Sequence, residues 1–156
     1  MTTFKKAPEF ELPDQDGKIH TLKSFLEKGP VVFVFYPGDF TPTCTKQLCS
    51  YRDAAGEYDG LGVQIVGISN DSAEKHRKFR EKYGFKFPLL TDDGKKVAKA
   101  FGATSKWLLG AVTRANVVVN RKGDVVFAHM DAVPVTHHKD EDLQAVLKDL
   151  KTKNLL

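Results

Sequence analysis

The chain has 156 residues, of which 41% are hydrophobic and 28% charged; its formal net charge is +4 and it carries two cysteines. That balance excludes a disordered chain, and the longest apolar run, the six residues 31–36, excludes a membrane-spanning helix, which needs about 20. The length suits one domain over residues 1–156, large enough to fold without a disulfide staple.

In chain order, residues 10–13 alternate, meet the turn composition Asp14-Gln15-Asp16-Gly17, and resume at Lys18-Ile19-His20, which predicts a small hairpin. Residues 31–36 are β-branched, aromatic and uninterrupted, as in a central strand buried on both faces, and Pro37-Gly38 ends it. Helix is predicted from about Pro42, suited to a first turn, to Tyr58, followed by a strand over residues 63–69. Strand, helix and strand form a βαβ unit with parallel pairing. A second helix opens at Asp71-Ser72-Ala73-Glu74, with the pattern of a capping box led by the acid. It carries the densest basic cluster, Lys75 to Lys82. Phe79 and Tyr83 fall on one stripe there, so the cluster reads as a solvated helix face and not as a nucleic-acid patch. Residues 87–90 predict a short strand and 93–101 a short helix closed by Gly102. Residues 115–119 and 125–129 predict a hairpin, and a last amphipathic helix begins near Asp140. The sum is an α/β fold with a mixed central sheet flanked by helices.

The first residues show no apolar signal-peptide core, so the expected setting is the cytoplasm, where thiols stay reduced. The two cysteines therefore invite a chemical reading. Cys44 lies two residues after Pro42, in a first helical turn where unpaired backbone N–H groups and the helix dipole favour thiolate. Cys49 is five residues on, and an intact helix separates the two Cα atoms by about 8.6 Å. A disulfide needs roughly 4.4–6.8 Å, so oxidation would require the helix to unwind. On spacing alone, two ordinary buried small residues remain an alternative, as does a zinc site drawing on the distant His137 and His138.

The run Phe35-Tyr36-Pro37-Gly38-Asp39-Phe40-Thr41-Pro42-Thr43-Cys44-Thr45 resembles the active-site loop of the peroxiredoxins, and Cys44, Thr45 and Cys49 together resemble their Q (bacterioferritin comigratory protein) subfamily. The resemblance extends to Ala-Pro-Glu-Phe-Glu-Leu-Pro-Asp near the start, Tyr51-Arg52-Asp53, Gly67-Ile68-Ser69 and Phe87-Pro88-Leu89-Leu90. It implies a thioredoxin-like fold with a peroxiredoxin amino-terminal extension. It further implies a peroxidase in which Cys44 attacks the peroxide, Cys49 resolves the sulfenic acid as an intramolecular disulfide, and a thioredoxin- or glutaredoxin-type dithiol restores both thiols. Thr41 would bond the peroxide, Arg114 would hold sulfur and peroxide with its fork of donors, and Pro37 would shield the pocket. No metal, flavin or haem is needed. The partners implied are a peroxide and a protein reductant, with no nucleic acid or membrane, in a monomer or weak homodimer. Two positions depart from the subfamily pattern: Thr43 stands for the usual Gly and Gln47 for the usual Glu, which removes a possible partner for Arg52. The apolar segment 106–112, with the only Trp, reads as core packing or a surface near the site. A disulfide oxidoreductase without peroxidase activity is the rival enzyme, and a non-enzymatic binding module the rival outside catalysis.

Overall fold

The computed structural model describes residues 4–105, 110–130 and 140–156. Trp107, His137 and His138 lie outside them. The chain opens with β1 (Glu11–Pro13) and β2 (Ile19–Thr21), an antiparallel pair joined by a turn that Asp14 organises. Its Oδ1 accepts from the backbone N–H of Asp16 and Lys18, and its Oδ2 meets His20 Nε2 at 2.7 Å. A five-residue helix, α1 (Leu22–Leu26), follows, which the hydrophobic pattern does not reveal. Its start is a reciprocal cap in which Thr21 Oγ1 accepts from Ser24 N–H and Ser24 Oγ accepts from Thr21 N–H.

The central strand β3 (Val31–Phe35) is buried at every position. The expected helix after it divides in two, α2 (Pro42–Asp53) and α3 (Ala55–Gly60), because Ala54 leaves helical geometry at φ −97° and ψ 14°. Then come β4 (Gln64–Ser69), α4 (Ala73–Tyr83), β5 (Leu89–Thr91), a 3-10 turn at Asp93–Lys95 and α5 (Lys96–Ala100). A two-residue pair, β6 (Thr104–Ser105) with β7 (Ala111–Val112), precedes the predicted hairpin of β8 (Ala115–Val119) and β9 (Val125–Met130), and α6 (Asp140–Thr152) ends the order. The cap of α4 corrects one expectation. Ser72, not Asp71, is the N-cap and accepts from Lys75 N–H, which leaves the Asp71 carboxylate for another use.

The main sheet runs β5-β4-β3-β8-β9, with β3, β4 and β5 parallel and β8 and β9 antiparallel to their neighbours. Alternation along β3 sends Val31, Phe33 and Phe35 to one core with Phe10, Phe25 and Val97, and Val32 and Val34 to the other with Leu48, Phe79 and Leu147. Helices α1 and α5 thus cover one face, while α2, α3, α4 and α6 cover the other. Gly67 in β4 permits a close approach: a Cβ there would lie 2.7 Å from Leu89 Cδ2 and 3.3 Å from the Tyr36 ring.

Candidate active site

The site forms at the carboxyl end of β3, where α/β sheets place ligands. Tyr36 continues the strand by donating its N–H to Ile68 O, and the chain then turns through residues 37–41 into α2. Thr41 is the N-cap and Pro42 the first helical residue, so Cys44 falls in the first turn, as the sequence predicts. Arg114 comes from 70 residues further along. The antiparallel register pairs Phe35 with Ala115, which brings the preceding Arg114 to the end of β3. There its Nη1 donates to Cys44 Sγ. Both groups are buried, Cys44 at 0% exposure and Arg114 at 3%. A permanent cation therefore rests on a sulfur that already sits at the positive end of a helix dipole.

Thr41 Oγ1 donates to Gly38 O at 2.9 Å, so its lone pairs remain available to accept. Pro37 is half-buried on the same turn. Cys49 lies on α2 as a free, half-buried thiol, and the helix is unbroken between it and free Cys44. Burial pushes the Cys49 thiol up, the Arg52 charge pulls against that, and Asp53 adds to the rise. Four of the expected residues, Thr41, Cys44, Arg114 and Pro37, thus gather at the end of β3, and Cys49 stands apart along the helix.

Beneath the turn lies a polar web that sequence reading does not find. Asp39, 2% exposed, accepts from Tyr36 OH at 2.6 Å and meets His76 Nδ1 at 2.6 Å. Its own N–H donates to Asp71 Oδ2 at 2.7 Å, while His76 Nε2 faces Leu90 O at 3.2 Å. Burial alone would raise the Asp71 carboxyl, but hydrogen bonds from Ser69, Asp39 N–H and Lys75 hold it below its ordinary range. Tyr36 moves the other way. Burial, with the Asp39 carboxylate beside it, holds its phenol well above the ordinary value. Asp39, Asp71 and His76 bring three ligand-type atoms within 4.8 Å of one another, yet each is engaged by protein hydrogen bonds. Among the described residues, neither cysteine belongs to such a group.

The web supports an unusual backbone. Phe40 has φ +64°, a left-handed conformation that costs a bulky residue about 1–3 kcal/mol. Asp71 anchors the preceding residue by accepting from the Asp39 N–H, and the Phe40 ring packs on Phe79 with centroids 4.9 Å apart. Gln47 is buried on the inner side of α2, its Nε2 donating to Tyr51 OH, whose hydroxyl donates to Asn116 Oδ1. Its Oε1 has no partner among the described residues. Arg52 finds its partners elsewhere, in Asp53 and Tyr83 O.

A buried cysteine at a helix start, met by an arginine across a mixed sheet, defines a thiol-reactive protein of the thioredoxin-like fold. The AhpC/TSA family model matches residues 4–128. The chloroplastic peroxiredoxin Q of Sedum lineare is 40% identical over 151 residues, covering 97% of this chain and 80% of the relative. The crystal structure of peroxidoxin BcpB from Mycobacterium tuberculosis is 36% identical, covers 97% of each chain and superposes with a TM-score of 0.82. The bacterioferritin comigratory protein of Xanthomonas campestris is 29% identical with a TM-score of 0.78, covering 92% of this chain and 91% of that one. The chain belongs to the AhpC/TSA family, and within it to the peroxiredoxin Q group. It spans 64% of the length of the chloroplastic wheat (Triticum aestivum) relative. No helix among the described residues is long and apolar enough to cross a membrane.

Proposed function

We propose that the chain is a thiol peroxidase that reduces hydrogen peroxide and organic hydroperoxides to water and alcohols. The observation that carries this reading is the buried Arg114 Nη1 donating to Cys44 Sγ in the first turn of α2. Cys44 thiolate attacks one peroxide oxygen, the S–O bond forms and the O–O bond breaks, and the departing oxygen takes a proton as water or alcohol. Arg114 balances the charge on sulfur and then on the leaving oxygen, with backbone N–H groups of the helix start as further donors. Thr41 accepts the peroxide O–H through lone pairs left open by its bond to Gly38 O. Pro37 keeps bulk water from the thiolate.

The product is Cys44 sulfenic acid. Cys49 sulfur attacks it, the S–S bond forms, the S–O bond breaks and water leaves. A thioredoxin- or glutaredoxin-type dithiol then returns both cysteines to thiols by exchange. A reducing compartment such as the cytoplasm suits two free cysteines, and the protein works as a monomer or weak homodimer. The Xanthomonas bacterioferritin comigratory protein has alkyl peroxide reduction activity, which supports organic hydroperoxides as substrates here.

The test is turnover of hydrogen peroxide and of an alkyl hydroperoxide with thioredoxin, thioredoxin reductase and NADPH. Wild type should consume NADPH, and Cys44→Ser should not. A Cys44→Ser protein with wild-type turnover would overturn the assignment.

A further inference from the structure

A Cys44–Cys49 disulfide cannot form while α2 is wound, since about 8.6 Å of helix separates the Cα atoms. Whatever holds α2 wound therefore decides how long a Cys44 sulfenic acid waits for Cys49. Two attachments flank the helix, and both land on the last turns of α4. Ahead of α2, the Phe40 ring packs on Phe79 and Tyr83, with centroids 4.9 and 6.5 Å apart. At its far end, Arg52 Nη1 donates to Tyr83 O at 2.7 Å. Tyr83 is the final residue of α4, followed by Gly84 in the left-handed C-cap conformation. Carbonyls in a last turn lack partners inside their helix and sit at the negative end of its dipole, so a guanidinium is well matched there. The remaining donors of the fork, Nε and Nη2, engage Asp53, which fixes the group on the end of α2. Arg52 also follows Cys49 by three residues, on the same side of the helix.

We infer that Arg52 is a positioning residue for the resolving step: its bond to Tyr83 O keeps α2 wound, and so sets the rate at which Cys49 reaches Cys44 sulfenic acid. This rests on the peroxidase reading above. The same bond sets the peroxide concentration at which over-oxidation begins. While the helix stays wound, a second peroxide can transfer an oxygen to the sulfenic acid, giving sulfinic acid and water or alcohol. Unwinding removes that chance by letting Cys49 displace the hydroxyl as water. Arg52 has a second influence, since its charge opposes the burial that raises the Cys49 thiol. The two influences separate in a pH profile. Loss of the grip raises the plateau rate of disulfide formation at alkaline pH, and loss of the charge moves the rise of that rate to higher pH.

The experiment is single turnover of reduced Arg52→Met, which keeps most of the apolar stem, against wild type. One equivalent of hydrogen peroxide is added from pH 7 to 11, spanning the raised Cys49 thiol, with acid quench, thiol alkylation and mass spectrometry. Sulfenic acid should form within two-fold of the wild-type rate. The alkaline plateau of disulfide formation should rise about five-fold, a charge-assisted hydrogen bond discounted for a side chain 34% exposed. Sulfinic acid should then need a correspondingly higher peroxide concentration. Amide exchange across residues 45–53 should quicken by a similar factor in the reduced protein, without peroxide. A plateau that is unchanged or lower, in a variant whose sulfenic acid forms normally, would overturn the inference alone. A wild type that forms neither sulfenic acid nor disulfide removes the peroxidase reading, and this inference with it.

Discussion

The two halves of α2 are held by different kinds of force. At its start, Cys44 is enclosed, the Arg114 guanidinium bonds its sulfur, and Asp39, His76 and Asp71 fix the approaching turn from below. Around Cys49, the thiol is half-buried, and beyond the core contacts of Leu48 and Tyr51 the end of the helix is tied to α4 through Arg52. The difference teaches that one helix can combine an enclosed, charge-matched end with an end held by a few exchangeable contacts. The first must pre-set charge, because electrostatic help counts only if it is in place before the peroxide arrives. In the proposed cycle, the second must exchange one set of contacts for another at each turnover.

Abolishing the reacting end is the sharpest way to break the contrast. Cys44→Ser should drop peroxide turnover to the uncatalysed background in the NADPH-coupled assay. Arg114→Met leaves the sulfur but removes its cation, and should lower the second-order rate constant for peroxide by about 10²–10³-fold in stopped flow. His76→Phe leaves the buried Asp39 carboxylate without its ring partner. Losing a hydrogen bond to a buried charged group costs about 1.5–3 kcal/mol, read as a lower denaturant midpoint. Cys49→Ser tests the other half. The first equivalent of peroxide should be consumed at the wild-type rate, and thioredoxin-driven turnover should then fall by about ten-fold or more. A slowed first equivalent would mean that the two ends are not separate.

Asp71→Asn has the smallest expected effect, on the anchor of the reacting turn. The Asp71 carboxyl is held below its ordinary value of 3.8, so the stability it contributes is present above that value and is lost as pH falls through its depressed folded pKa. Discounted for partial exposure, the variant should cost about 1 kcal/mol at pH 7. Wild type and variant should converge in denaturant stability as the pH drops well below 3.8.

How legible the protein is depends on how local the signal is. The unbroken apolar run of β3, the consecutive valines of β8 and the helical stripe of Phe79 and Tyr83 are written over a few consecutive residues, and each element forms where expected. Helix α1 escapes because five residues cannot show a period, although the cap of Thr21 and Ser24 is available to find it. The break at Ala54 carries no proline or glycine to announce it. In the site, the turn from Pro37 to Cys44 is contiguous and readable. The link from Arg114 depends on strand register and is reached only through resemblance. Asp71 passes for a cap in the sequence because its real partner, Asp39 N–H, is 32 residues away. His76, 37 residues from Asp39, looks like one more polar residue on a solvated helix.

The Tyr36 phenol also gives the protein an optical gauge. Its ionisation is suppressed by enclosure and by the neighbouring carboxylate of Asp39, so it should remain neutral in an alkaline titration for as long as the fold holds. Ultraviolet difference spectra report tyrosinate formation. Tyr36, one of four tyrosines, should contribute its absorbance only with the collapse of secondary structure seen by circular dichroism. The number of tyrosines that ionise before that collapse becomes a label-free readout of whether the floor of the reacting turn is intact, usable in every variant described above.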